Sequence, residues 1–340
     1  MSSPAVILYR YDASPYSHKI DNVLALKKIP HSIVNVAPML PRPEITDMLG
    51  VTYRRIPILA IGNDVYCDTA AIVAALERRF PTSQGYGTIF PPAATSAGER
   101  TDVDIVTAFA RFYAEATMFP LAVNTMTWSK VPDAFLKDRS ELRGSPIDVK
   151  AIAANRPVAL ATLSSHITSL EQQLADGRAF LFATTAPSLA DISVHFIFNW
   201  VRGFPGTKEL FDAKRTPKVV EWLARVTSRL QFLKSSLPKP TLLKGAEAAA
   251  AIIRAAHEAY DVAGFDEVEA QRLGVRRGAT VKVAPEDTGR AWPTIGMLVA
   301  LTHEEVTLEV KGPKAKGTVR VHFPRLGFSV RPISDGAAKL

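Results

Sequence analysis

The stretch Ala5–Ile20, AVILYRYDASPYSHKI, contains the transition on which the fold turns. Its first half is an apolar run rich in β-branched and aromatic residues, which reads as a strand. Its second half opens PYSHKIDNVLALKKI, where Ile20, Val23 and Leu24 recur at helical spacing. Ser14 and Pro15 stand between the two. Serine is a preferred N-cap because its oxygen accepts an N–H of the first turn, and proline is favoured at the first helical position. The same place suits chemistry. A helix N-terminus offers free N–H groups and positive potential. A hydroxyl there can donate to a thiolate and lower the pKa of its thiol. On these residues alone Ser14 is either a cap or a catalytic hydroxyl.

Working outward, HSIVNV reads as a second strand and PEITDML as a short helix. IPILAIG and DVYCD are two strands joined at Gly62-Asn63-Asp64, a hairpin signal. TAAIVAALERRF is a helix that stops before Pro81. The order βαβ-α-ββα implies one parallel crossover and one antiparallel hairpin. A Pro/Gly/Ser-rich linker, PTSQGYGTIFPPAATSAG, separates this region from a helical one between Glu99 and Leu237. There ERTDVDIVTAFARFYAEATMFPLAV predicts one long helix, bent or ended near Pro120. Three later segments, NRPVALATLSSHITSLEQQLADG, PSLADISVHFIFNWVRG and TPKVVEWLARVTSRLQFL, complete a bundle. After LPKPTLLKG comes an Ala-rich helix, AEAAAAIIRAAHEAY, and then apolar residues with a period of two. That texture predicts a small β-barrel or twisted antiparallel sheet of about five strands. The expected domains are residues 1–82, 95–238 and 245–340.

Composition narrows the function. A hydrophobic fraction of 47% over 340 residues excludes general disorder. The start lacks a basic segment followed by an apolar one, and no run approaches roughly 18 apolar residues. The closest, FLFATTAPSLADISVHFIFNW, is interrupted by Asp191 and His195. A cytoplasmic protein without a membrane span is therefore expected. The single cysteine, Cys67, excludes an internal disulfide and a cysteine-based zinc site within one chain, and reads as a small buried hydrophobe. The histidines are scattered, so no metal is expected; His18 alone stands near Ser14. Net charge is +8, and the twelve basic and six acidic residues from Gln271 to Leu340 supply most of the excess. Positive charge on a small β-domain suits nucleic acid, but Trp292, Phe323 and Phe328 are its only rings besides histidine. A solvated basic surface is the reading adopted.

Two further stretches bear on Ser14. In RRIPILAIG, Pro57 is either a trans proline opening a strand or a cis proline presenting the backbone of Ile56 to a peptide-like ligand. In VYCDTAAIVAAL, Asp68 and Thr69 sit where a strand meets a helix. They either cap that helix or hold both ends of an amino-acid head group, Asp68 the ammonium and Thr69 the carboxylate.

The order and spacing of these three stretches, followed by an all-helical region, resemble the glutathione transferase superfamily over roughly residues 5–235. SPYSHKI looks like the active-site turn of its serine classes, RRIPIL like its cis-proline strand, and DTAAI like its acidic-Ser/Thr element, with Asp-Thr where Glu-Ser is commoner. PSLADISVHFI is similar to its helical capping motif, with Ser188 and Asp191 as a capping box that serves folding. The resemblance implies a thioredoxin-like α/β domain binding glutathione, an all-α bundle forming the electrophile pocket, and an appended β-rich domain. It implies Ser14 as the thiolate-stabilising hydroxyl, with Tyr11 as its rival. It assigns Ile56, beside Pro57, to the cysteinyl backbone and Asp68 and Thr69 to the γ-glutamyl end. Arg55, and secondarily Arg42, would meet the glycine carboxylate. Tyr16, Phe109, Phe112 and Tyr113 would line the pocket for a hydrophobic electrophile, although core packing also explains such a stripe. Family members are commonly homodimers, and similar appended domains occur in fungal transferase-like proteins of secondary metabolism. The implied activity is glutathione conjugation or glutathione-dependent isomerisation; the alternative is a non-catalytic binding protein.

Overall fold

The computed structural model describes residues 4–95, 98–259 and 264–333. The first region folds in the expected order: β1 (Val6–Arg10), α1 (Pro15–Leu26), β2 (Ser32–Asn35), α2 (Pro43–Leu49), β3 (Ile58–Ile61), β4 (Asp64–Cys67) and α3 (Thr69–Arg79). β1 pairs in parallel with β2 and antiparallel with β3, and β3 pairs with β4 around Gly62-Asn63. This is the thioredoxin-like frame. Its strands are apolar at nearly every position because both faces are covered. Alternation along the strand sorts them. Val6, Leu8, Leu59, Ile61 and Tyr66 enter a core shared with α1, α3 and the helical region. Ile7, Tyr9, Ile58, Ala60, Val65 and Cys67 enter the core on the opposite face. Cys67 is fully buried, and burial pushes its thiol well up, as expected of a packing residue.

Two short strands, β5 (Ala93–Thr95) and β6 (Gly98–Arg100), pair within the linker. The first helix of the bundle runs as α4 (Val103–Ala108), a π-helical segment Phe109–Met118, and α5 (Phe119–Asn124). The expected break at Pro120 takes this form because proline donates no N–H and crowds the carbonyl four residues back; the wider turn before it relieves both. α6 (Asp133–Arg143) was not foreseen. α7 (Val149–Leu174), α8 (Leu189–Val201) and α9 (Pro217–Ser235) follow as the apolar periodicity predicts. Ser188 and Asp191 form the anticipated capping box at the start of α8.

The third region is β-rich as expected, five strands paired antiparallel in an open, barrel-like curl; its union with the first region's sheet was not part of that expectation. It contributes β7 (Thr241–Leu242), α10 (Gly245–Arg254), a helix over Glu267–Leu273, and five strands: β8 (Thr280–Pro285), β9 (Thr294–Leu301), β10 (Glu305–Val310), β11 (Val319–Pro324) and β12 (Phe328–Pro332). These join the first region in one ten-stranded sheet of order β12-β8-β9-β10-β11-β4-β3-β1-β2-β7. β11 pairs antiparallel with β10 and parallel with β4. A strand edge leaves a row of N–H and C=O groups without partners; β11 supplies them for β4, and β7 does the same for β2. The sheet curls enough to bring Phe323 and Phe328 to 5.8 Å. β12 nonetheless ends the sheet, hydrogen-bonded to β8, so the barrel stays open.

The Ala-rich helix also stops earlier than its composition suggests. α10 ends at Arg254, and Ala255 is extended with φ −79° and ψ 160°. This turns the chain so that Glu258 N–H donates to Asp64 Oδ2 at 2.7 Å. Tyr260, the expected helix end, lies outside the described residues. Several basic residues of the third region are paired: Arg320 with Glu309 at 2.7 Å, Lys314 with Asp47 at 2.8 Å and Arg325 with Glu269 at 3.6 Å. These pairs reduce the free basic surface that the net charge suggests. Lys339, counted in that charge, is outside the described residues. Among the described residues no helix is long and apolar enough to cross a membrane.

Candidate functional site

Strand register gathers the three stretches. Tyr9 lies opposite Ile58, and Ile58 opposite Cys67. One step beyond that row, the turn at residues 11–14, the Ile56-Pro57 bond and the Asp68-Thr69 junction therefore meet at a single edge of the sheet. The N-termini of α1 and α3 point to the same edge, and each leaves N–H groups of its first turn outside the helical ladder.

Ser14 is the N-cap of α1, and its Oγ accepts the Ser17 N–H at 3.2 Å. A serine hydroxyl has one hydrogen and two lone pairs. Accepting one bond as a cap leaves the hydrogen for a further partner, so the capping and catalytic readings are compatible in one side chain. The group is buried, at 2% exposure. Tyr11 stands apart from this cap. Its hydroxyl accepts from Arg139 of α6 at 3.3 Å, and the same guanidinium donates to the Pro38 carbonyl at 3.0 Å. Tyr16 packs its ring against Phe119 at 4.7 Å and Phe196 at 5.1 Å. Burial, followed by the nearby charges of Glu115 and Asp68, pushes its hydroxyl well above 10, so it stays protonated. His18 is half exposed and faces Asp21 at 3.7 Å.

The Ile56-Pro57 bond is cis. Asp68 has φ +78°, a backbone conformation that residues with a Cβ seldom adopt. Its Oδ1 caps α3 by accepting the Ala70 N–H at 3.0 Å, and its Oδ2 accepts from the Tyr53 hydroxyl at 3.3 Å. Thr69 is buried and engaged: its Oγ1 accepts from Lys19 at 2.9 Å and donates to Glu115 at 3.2 Å. Arg55 lies 3.6 Å from Asp68 and is ion-paired with Asp287, and it also donates to the Thr288 carbonyl. Arg42 departs from its expected role. It is buried, and its guanidinium donates to the carbonyls of Ala37 at 2.7 Å, Pro38 at 3.0 Å and Arg54 at 2.5 Å. The donor fork is spent on shaping this loop, and burial pulls Arg42 down to about 10.

The expected aromatic face divides. Phe109 and Tyr113 pack with tilted rings at 4.9 Å, and Tyr113 hydrogen-bonds His166 at 2.9 Å. Phe112 points outward with 54% exposure. Three charged residues at the site were missed in the sequence. Lys19 is buried on α1 and pairs with Glu115 of the π-helical segment at 2.5 Å, tying α1, α3 and the bundle together through Thr69. A lysine one turn before Val23 on an apolar helix face was the available signal for Lys19; Glu115 interrupts an equally apolar stretch. Asp287 carried no local signal, because it reaches Arg55 only through the tertiary fold.

A family model described as the glutathione S-transferase N-terminal domain matches residues 8–84, and one described as a domain of unknown function, DUF7962, matches residues 117–234. A GST-like protein from Pseudomonas syringae is 26% identical with a TM-score of 0.68, the match covering 98% of this chain and 100% of that one. That coverage takes in the third region as well. A Tau class glutathione S-transferase from mango, Mangifera indica, is 15% identical with a TM-score of 0.49, covering 69% of this chain and 93% of that one. A glutathione S-transferase from Rhodospirillum rubrum is 20% identical with a TM-score of 0.47, covering 69% and 94%. No curated protein matches the chain. With the frame, the cis Ile56-Pro57 bond and the Ser14 and Asp68 helix starts in place, residues 8–84 are a glutathione S-transferase N-terminal domain within a chain that is GST-like over its length.

Proposed function

We propose that the protein is a glutathione-dependent enzyme that activates the glutathione thiol against a hydrophobic electrophile. The observation that carries this reading is Ser14, a buried hydroxyl that caps α1 and keeps its hydrogen for a further acceptor. Beside it, the cis Ile56-Pro57 bond lies at the same edge, and Asp68 offers a carboxylate for an ammonium. A free thiol titrates near about 8.5, so little thiolate exists at neutral pH. A hydroxyl donor and a helix N-terminus both favour the anion. The thiolate then attacks an electrophilic carbon: with an enone the C=C pair shifts to the carbonyl oxygen and a proton is taken up from solvent, and with an aryl halide the halide leaves. The adduct either leaves as a conjugate or eliminates glutathione with a shifted double bond.

Turnover with a panel of enones and aryl halides tests the activity. Ser14→Ala removes a hydrogen bond to a charged group, worth roughly 1.5–3 kcal/mol, so kcat/KM is expected to fall about 10- to 100-fold. Tyr11→Phe is expected to change it less than about threefold, because the Tyr11 hydroxyl is oriented by Arg139. A Ser14→Ala protein with unchanged kcat/KM sinks the assignment. A second reading is a non-catalytic glutathione-transferase-like binding or regulatory protein. Arg55 and Thr69 favour it, since both already have protein partners. Calorimetric binding of glutathione without turnover across the panel would select this reading.

A further inference from the structure

The loop between β8 and β9 lies on the candidate site and is fastened at several points. Arg54 places its guanidinium 4.1 Å over the Trp292 ring. Thr52 Oγ1 donates to the Pro293 carbonyl at 2.6 Å, and Gly289 N–H donates to the Leu142 carbonyl of α6 at 2.7 Å. Gly289 has φ +78°, so a residue with a Cβ would be strained there. This anchored turn carries Asp287 to Arg55. Arg55 is thus flanked by two carboxylates, those of Asp68 and Asp287, while its Nε and Nη2 also donate to the Thr288 carbonyl at 3.2 and 2.7 Å.

We propose that Asp287 is a specificity-determining residue that pre-neutralises Arg55, so that the site gives no preference to a thiol ligand with a free carboxylate at that end. The inference rests on the glutathione reading above. One cation between two carboxylates leaves a net negative charge at this point of the site. An incoming carboxylate must displace Asp287, exchanging one arginine–carboxylate contact for another, and it then meets the displaced Asp287 as a like charge, while Asp68 is taken up by the ligand's ammonium. The Asp287 side chain is 68% exposed, so solvent screens its contact with Arg55 and the incoming one alike, and the anchored turn keeps Asp287 close enough to compete. The exchange therefore yields almost no net affinity. A ligand that is neutral at this end avoids the exchange and leaves the pair intact.

The test is calorimetric titration of the full chain with glutathione and with glutathione esterified at its glycine carboxylate. The wild-type protein is expected to bind the two within about twofold of each other. Asp287→Asn and Asp287→Ala are expected to prefer free glutathione by about tenfold, chiefly through tighter binding of the free acid. Glu286→Gln removes the same charge one residue away from an exposed side chain and is expected to leave the ratio unchanged. A wild-type preference for the free acid of tenfold or more overturns the proposal, as does an unaltered ratio in both Asp287 variants. Binding of neither ligand to any of these proteins overturns instead the glutathione reading on which it rests.

Discussion

Replacing His322 by glutamine is expected to lower folding stability by about 3–5 kcal/mol, the range found when one partner of a buried ion pair is removed. His322 sits on β11 at the seam with β4 and is 2% exposed. Its Nε2 donates to Asp64 at 3.0 Å and its Nδ1 to Glu305 at 2.8 Å. The same cluster holds Arg79 on Asp64 at 2.5 Å and Arg78 on Glu258 at 2.8 Å, joining α3 to the third region. Burial opposes a charged imidazole here. The charge of Glu305 and the hydrogen bonds to Asp64 and Glu305 outweigh it and raise His322 to about 9. An unfolded histidine titrates near 6.5, so the stabilisation is fully present below that pH and is lost as pH rises through about 9. Its size is on the order of 3 kcal/mol, from 1.36 kcal/mol per pKa unit. Urea unfolding at pH 6.5 and 9.5 measures both effects. The wild-type protein should lose stability between the two, and His322→Gln should lose much less. Equal losses would show that the seam does not depend on the imidazolium.

Asp191→Ala is expected to cost about 4 kcal/mol, since an unpaired buried polar group costs roughly 1–3 kcal/mol and several are created. The carboxylate is fully buried and accepts from Leu181 N–H at 3.0 Å, Ser188 N–H at 2.9 Å, Ser188 Oγ at 2.7 Å and Trp222 Nε1 at 2.8 Å. It thus ties the start of α8 to α9 and to the chain preceding α8. Asp148→Ala provides the contrast. Asp148 caps α7 by accepting Ala151 N–H at 2.9 Å in an exposed setting, where loss of a cap costs about 1 kcal/mol. Urea midpoints compare the two variants. A shift for Asp191→Ala no larger than that for Asp148→Ala would reduce this network to an ordinary cap.

The capping box was legible because both partners lie within one turn and their side chains name their roles. The contact from Trp222 to Asp191 spans 31 residues and leaves no trace in local spacing. The same division runs through the site. Ser14, Pro57 and Asp68 stand out because each ends or begins an element, where residue type and backbone geometry are tightly linked. Arg42 and Arg55 do not, because an arginine's partners depend on whichever carbonyls and carboxylates the fold brings within reach. Arg42 meets two carbonyls of the loop before it and that of Arg54 beyond α2; Arg55 meets an aspartate 232 residues away. Residues 133–143 were passed over as a helix because little of their surface is apolar, yet Asp138, Arg139 and Leu142 support the site region.

By itself, the sequence determined the βαβ-α-ββα frame, the bundle that follows it, and the five strands near its end. Those features follow from apolar periodicity and from turn and cap residues, which act over a few positions. Only the tertiary structure decided that the last five strands extend the first sheet. An unpaired β4 edge and an unpaired β11 edge satisfy each other whatever side chains they carry, so their pairing leaves no local signature. That pairing places the β8–β9 loop on Arg55, and so gives Asp287 its place in the site.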